Sequence, residues 1–266
     1  LWAHETTNSS TWQVADIYSG GGSSYPNFGA GLTVMGTRLY FNADDGSSGR
    51  ELWAHETTNS STWLVADIYR HMSSSNPGGW PTNVGLSVMG TRLYFNANDG
   101  NSGNELWAHE STNSSTWLVA DIVSGRVECY PGGWPKNAGF TVMGTRLYFD
   151  ADDGSSGCEL WAHESTNSST WQVADINSDG SSWPAPLTAM GTWLYFSAAT
   201  EGSSGFELWA HETTTSSTWR VADIRFSNDW TLGMFSDARG TRLYFSADDG
   251  SSGFELWRME IEHTIN

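Results

Sequence analysis

The feature that most constrains this chain is a repeat. Leu-Trp pairs begin at positions 1, 52, 106, 160, 208 and 256, at spacings of 51, 54, 54, 48 and 48 residues. Self-similarity at a period near fifty marks a solenoid, a propeller or an array, and it takes precedence over any local reading. Each copy carries one hairpin, clearest at 37–56: Thr-Arg-Leu-Tyr-Phe-Asn-Ala, then Asp-Asp-Gly-Ser-Ser-Gly-Arg, then Glu-Leu-Trp-Ala-His-Glu. Two apolar-rich runs flank a turn built on Asp-Gly and a second glycine, which predicts a pair of antiparallel strands.

Two further extended runs complete the unit. In the second copy the four runs are Leu86 to Met89, Arg92 to Ala97, Glu105 to Glu110 and Trp117 to Ile122. They are joined by short turns, Met-Gly-Thr, Asn-Asp-Gly-Asn-Ser-Gly and Ser-Thr-Asn-Ser-Ser-Thr. No run has helical period or length, and short turns between neighbouring strands give an up-and-down meander. Between units the connections are longer: 18–31, 69–85, 123–139, 177–186 and 225–234. Such links carry a chain from the outer strand of one blade to the inner strand of the next.

Both faces of each run are partly apolar: Leu39, Phe41 and Ala43 on one side, Tyr40 on the other. A sheet apolar on both sides needs a neighbour on each, which a closed ring supplies. The Leu-Trp tryptophans are accordingly expected between blades. The expected fold is all-β, a five-bladed β-propeller of four-stranded antiparallel blades. Residues 1–266 are read as a single domain of five repeats. The chain opens in a third run and finishes in a third run, so one blade is expected to be closed by pairing the N- and C-terminal strands. Which terminal Leu-Trp segment completes that blade is left open.

At Leu-Tyr-Phe-x-Ala-x-Asp-Gly-x-x-Gly-x-Glu-Leu-Trp, with Val-Ala-Asp-Ile and Ser-Ser-x-Pro after it, the chain resembles the ELWxxDGT (hyalin-like) repeat family. Glu51-Leu52-Trp53, Asp45-Gly46, Gly49 and Asp67-Ile68 carry the resemblance in the first full copy. It implies a propeller-like repeat fold and an extracellular setting, and no catalytic residues. One departure is consistent. Where that family has a glycine-containing segment after the Trp, this chain has Glu56-Thr57-Thr58-Asn59-Ser60-Ser61-Thr62.

The formal charge is −18, from 30 Asp and Glu against 12 Lys and Arg. Such a surface repels phosphate backbones and anionic lipid, so nucleic acid is excluded as a partner. No apolar run reaches the roughly 20 residues needed to cross a bilayer, so membrane insertion is not expected. No signal peptide is recognised, but the chain starts in mid-repeat, which points to processing or an incomplete N-terminus. Cys129 and Cys158 replace different residues of the other copies and fall at one end of the meander, where a disulfide is within reach in an oxidising compartment.

The meander puts the Asp-Gly turns and the inter-blade links at one end, and the Met-Gly-Thr and Asn-Ser-Ser turns at the other. Each link carries one aromatic residue at a matching place: Tyr25, Trp80, Trp134, Trp183 and Trp230. Four precede proline, which confines the preceding residue to extended conformations. With Asn83 and Asn137 nearby, these rings are the candidate platform for the apolar face of a sugar. Their alternative role is to plug gaps between blades.

The acidic turns 44–46, 98–100, 152–154 and 248–250 are a candidate for Ca²⁺. Each supplies too few oxygens for a cation that wants six to eight, so no cofactor is expected. The histidines His4, His55, His109, His163 and His211 stand one per blade, too far apart to share a metal, and are read as structural hydrogen-bonding groups. Asn8, Asn59, Asn113 and Asn167 each head Asn-Ser-Ser, an N-glycosylation acceptor, and the fifth copy has Thr215 instead.

Catalysis needs one asymmetric constellation of differently tuned groups, whereas near-identical copies suit several equivalent weak sites. The expected function is a secreted, multivalent, non-catalytic carbohydrate-binding protein (a lectin) acting on glycans of cell surfaces or glycoproteins. The alternative is a structural or adhesive extracellular module, for which a homo-oligomer is expected. A five-bladed glycoside hydrolase ranks third, because the first runs Leu32-Thr33-Val34, Leu86-Ser87-Val88 and Phe140-Thr141-Val142 bring no carboxylate to the axis.

Overall fold

The Asp-Gly turn shows how directly local chemistry writes the hairpin. Asp45 Oδ1 accepts from the backbone N–H groups of Ser47 and Ser48, at 2.8 and 2.7 Å, and Asp44 Oδ1 accepts from that of Gly46 at 2.7 Å. Gly46 and Gly49 both take positive φ, +80° and +78°. A side chain at Gly49 would also run into the Ser73 carbonyl of the link that passes over it, so two demands fix glycine there.

The computed structural model describes residues 1–27, 31–70, 73–78, 85–122, 129–133, 139–200, 205–226, 234–237 and 240–260, with the backbone alone at 186 and 226. Two units are recognised, Leu1–Asp121 and Ile122–Asn266. In the first, β1 (Trp2–Glu5) and β2 (Ser10–Gln13) form a two-stranded hairpin. Then come two complete four-stranded sheets. The first comprises β3 (Thr33–Met35), β4 (Arg38–Asp44), β5 (Arg50–Glu56) and β6 (Thr62–Ala66). The second comprises β7 (Ser87–Met89), β8 (Arg92–Asn98), β9 (Asn104–Glu110) and β10 (Ser115–Ala120). Every pairing is antiparallel and between sequence neighbours, as the meander requires.

The second unit repeats the plan. Its first sheet is β11 (Thr141–Met143), β12 (Arg146–Asp152), β13 (Cys158–Glu164) and β14 (Ser169–Ala174). Its second is β15 (Ala185–Met190), β16 (Trp193–Ala199), β17 (Phe206–Glu212) and β18 (Ser217–Phe226). A three-stranded set follows: β19 (Phe235–Ser236), β20 (Arg242–Asp248) and β21 (Phe254–Glu260). The chain is thus all-β, built of repeated four-stranded antiparallel sheets of the propeller type. The register is the same in each copy, with Phe41 opposite Trp53, Phe95 opposite Trp107, Phe149 opposite Trp161, Phe196 opposite Trp209 and Phe245 opposite Trp257.

Each terminal Leu-Trp segment pairs within its own unit, Leu1-Trp2 leading into β1 against β2 and Leu256-Trp257 lying in β21 against β20. The last Leu-Trp segment therefore takes the third-strand position of the fifth sheet. In addition, β18 runs on to Phe226 and bridges β20 through Arg225 opposite Asp248. The connection expected from 225 thus begins as strand.

Neighbouring sheets within a unit share their cores. Tyr40, Leu52 and Ala54 pack with Leu93, Phe95 and Ala97, with Trp107 against them. Tyr148, Leu160 and Ala162 do the same with Leu194, Phe196 and Ala198, with Trp209 against them. Trp107 and Trp209 of the Leu-Trp pairs therefore pack between sheets, as their size and apolar area predict. Polar staples repeat with the packing. Thr33 Oγ1 donates to Leu86 O at 3.1 Å, Thr141 Oγ1 to Leu187 O at 3.0 Å and Thr188 Oγ1 to Met234 O at 3.0 Å. Arg38 reaches Ser111 O at 3.1 Å, and Arg146 reaches Thr213 O at 2.9 Å. The tyrosine rings Tyr40 and Tyr148 lie 5.5 Å from His109 and His211 of the next sheet.

Candidate functional site

The links lie at the Asp-Gly end of the sheets they enter, held there by backbone pairs. Asp44 N–H donates to Ser24 O at 2.9 Å and Asn27 N–H to Asn42 O at 2.9 Å. Asn98 N–H donates to Ser75 O, Gly78 N–H to Asn96 O, Gly132 N–H to Asp150 O and Ala199 N–H to Ser182 O, all at 2.8–3.0 Å. The link end and the Asp-Gly end coincide, as the topology predicted.

These bonds also set which link residues correspond, and they change the alignment. Asp44, Asn98 and Ala199 end equivalent strands, so Ser24, Ser75 and Ser182 are equivalent, and with them Tyr25, Asn76 and Trp183. The Gly132 bond places Tyr130 at the same position in the third sheet. Trp80 and Trp134 stand four residues beyond, in Gly-Gly-Trp-Pro insertions, and so do not match Tyr25. The signal was available in the sequence: Ser-Ser-x-Pro recurs at 23–26, 74–77 and 181–184, with Cys129-Tyr130-Pro131 in the third copy.

The conformation before proline is not the extended one expected. Tyr25, Asn76 and Trp183 have φ of +42°, +50° and +52°, in the left-handed region. For Tyr and Trp that is a strained backbone, held only where surrounding bonds over-determine it. Here they do. In the fourth sheet the N–H groups of Ser182 and Trp183 both donate to Cys158 O, at 3.0 and 3.1 Å, and in the second Asn76 N–H donates to Arg50 O at 3.1 Å.

The anchor beneath the links 69–85 and 177–186 is a glutamate that sequence reasoning assigned no role. Glu51 is fully buried and accepts from the N–H groups of Ile68 at 2.9 Å and Ser75 at 3.0 Å, and from the Ser75 hydroxyl. Glu159 repeats this with Ile176 at 2.9 Å, Ser182 N–H at 3.0 Å and Ser182 Oγ at 2.7 Å. Burial pushes both carboxyls up to about 7, against donors that favour the anion. In the fourth sheet Glu207 instead takes Arg220 Nη1 at 2.9 Å. Glu51 and Glu159 thus clamp the end of the fourth strand to the link that follows it.

Of the candidate contact residues, Tyr25 is 56% exposed, a ring presented to solvent from a fixed backbone. Trp183 is half-buried and packs against the cluster that Tyr195, Leu208 and Leu243 share. Trp80, Trp134, Trp230, Asn83 and Asn137 lie outside the described residues. The turn carboxylates spend their lone pairs on their own loops. Partial burial would raise Asp45, but the Ser48 and Ser47 N–H groups outweigh it and hold the carboxyl below its ordinary value. Asp249 is lowered by the N–H of Ser251 in the same way. Among the described residues no three His, Cys, Asp or Glu side chains are grouped to hold a metal.

The histidines are strand-to-strand groups. The Nδ1 atoms of His4, His55, His109, His163 and His211 lie 2.8–2.9 Å from Thr11, Thr62, Thr116, Thr170 and Thr218. Cys129 and Cys158 form a disulfide. It ties the link before the third sheet to the start of β13 and is the mark of an oxidising compartment, extracellular or periplasmic.

No family model matches the chain, and no curated protein does. Solved structures do. An oligogalacturonate lyase in complex with manganese aligns with a TM-score of 0.55 at 9% identity, over 97% of this chain and 67% of its own. The oligogalacturonate lyase of Vibrio parahaemolyticus aligns at 0.54 and 8%, over 98% and 69%. TolB from Acinetobacter baumannii aligns at 0.45 and 13% over 85% of this chain, which spans about half (52%) of that protein. At these identities the likeness is one of fold: this chain shares the β-propeller architecture of distant proteins.

Proposed function

We propose that this is a secreted, multivalent carbohydrate-binding protein without catalytic activity, built of repeats of the ELWxxDGT kind, whose sugar sites lie on the link-bearing ends of the sheets. The observation that carries the reading is the strained, repeatedly anchored residue before proline, with the Tyr25 ring turned to solvent. A rigid exposed aromatic offers a flat apolar face at little entropic cost, and the polar turn beside it can orient hydroxyl groups. Linked weak sites gain about 10²–10⁴ in avidity without any one of them improving. Trp80, Trp134 and Trp230, on the same links, extend the platform, with Asn83 and Asn137 as orienting amides.

The test is agglutination of glycan-bearing cells, its inhibition by a simple sugar, and its loss in the Trp80→Ala/Trp134→Ala double variant. Normal agglutination by that variant, folded, removes the site assignment. A second reading, an extracellular adhesive module that self-associates, is favoured by the large apolar side chains left in water, Trp2, Trp12, Phe235 and Leu256. It predicts self-association in solution and no sugar retained on a glycan array.

A further inference from the structure

The ends of the sheets opposite the links carry a second repeated feature. The turns β1–β2, β5–β6, β9–β10 and β13–β14 leave Asn8, Asn59, Asn113 and Asn167 exposed. In each, the Asn Oδ1 accepts from the residue two ahead, from its N–H at 3.0 Å and its hydroxyl at 2.7 Å: Ser10, Ser61, Ser115 and Ser169. The serine between them has φ of +56° to +59°. The carbonyl side of the amide is therefore held by the turn, and Nδ2 faces water.

The β17–β18 turn is an internal control. It has Thr215 in place of Asn, yet Ser216 keeps φ at +57°. The turn does not need asparagine to form. Nowhere else in the sequence does an Asn stand two residues before Ser or Thr. The acceptor pattern is thus confined to the one kind of turn that exposes it, in a chain whose disulfide belongs to an oxidising compartment, where such acceptors meet their transferase.

We propose that Asn8, Asn59, Asn113 and Asn167 are N-linked glycan acceptors. The donor is a lipid-phosphate-linked oligosaccharide used by a membrane transferase. A bond forms between Nδ2 and the anomeric carbon. The bond from that carbon to the phosphate oxygen breaks and its electron pair leaves with the lipid phosphate. One amide proton passes to a base of the transferase. Glycans on these turns leave the link ends uncovered and make the opposite ends hydrophilic and bulky.

The test is secretion of the full chain from a host with N-glycan transfer, with peptide masses read before and after an amidase that converts glycosylated Asn to Asp. Conversion is expected at all four positions. Asn59→Gln loses one glycan, and Thr215→Asn, which restores Asn-Ser-Ser in the fifth turn, gains one. A secreted chain with its disulfide formed and the mass of the bare polypeptide overturns the proposal. A Thr215→Asn chain that gains nothing overturns the argument from turn geometry.

Discussion

Residues 1–18 and 52–69 differ at one position, Gln13 against Leu64, yet the two segments end in different environments. Their local structure is the same. Ala3 faces Trp12 as Ala54 faces Trp63, and the His4–Thr11 and His55–Thr62 bonds are both 2.8 Å. Their burial is not. Trp2 is 66% exposed, whereas Leu52 and Ala54 have no exposed surface. β5 lies between β4 and β6 with a further sheet packed on it, whereas among the described residues β1 has β2 as its one strand partner. Turn chemistry and cross-strand pairing write the hairpin, and packed neighbours supply its burial.

The sharpest way to break that comparison is to truncate one side chain in each segment. Leu52→Ala should cost about 2–5 kcal/mol, the usual range for a fully buried leucine, whereas Trp2→Ala should stay within about 0.5 kcal/mol. Denaturant unfolding reads both, and equal losses would show that the two hairpins are not differently buried. Next in size is the disulfide. With its cysteines 29 positions apart in sequence, reduction should cost about 3–4 kcal/mol. Hydrogen exchange should place that loss in residues 122–266 and spare 1–121.

The glutamate clamp gives a smaller, pH-dependent effect. Glu51 and Glu159 have folded pKa values raised from 4.5 to about 7, so each contributes stability fully present below about pH 4.5 and lost as pH rises through about 7. His211, lowered by burial to about 4, works in the opposite sense: its contribution is present near neutrality and is lost as pH falls from about 6.5 toward 4. Comparing chains isolates the carboxyl. Glu51→Gln should remove roughly 2 kcal/mol of the difference in unfolding free energy between pH 4.5 and pH 7.5. An unchanged pH profile would show that Glu51 is ionised throughout. Smallest of all, Tyr25→Ala should leave the melting temperature within a degree or two while weakening agglutination. A large loss of stability there would make the ring a packing element.

The spacing of Leu-Trp pairs and the Asp-Gly turns carried the strand order, the sheet type and the placement of the links, because each depends on period and short-range turn chemistry. The histidine bonds were legible for the same reason. What was not legible depends on longer contacts. Matching aromatic to aromatic paired Tyr25 with Trp80, but the bond from Asn98 to Ser75 pairs it with Asn76. Proline statistics argued for an extended Tyr25 and Trp183, but the carbonyl and amide bonds around them hold a left-handed backbone instead. Glu51 and Glu159 were given no role because their partners Ser75 and Ser182 lie in the links. The departure of the last copy was in plain view: Arg258 and Met259 replace the Ala and His that meet the fourth strand elsewhere, and β21 indeed has β20 as its one partner among the described residues.

The most direct test of the central claim is stoichiometry. A sugar identified on a glycan array, titrated calorimetrically into the folded chain with and without EDTA, should occupy several equivalent weak sites per chain and be indifferent to the chelator. A single site, or binding abolished by EDTA, would contradict recognition by repeated aromatic links.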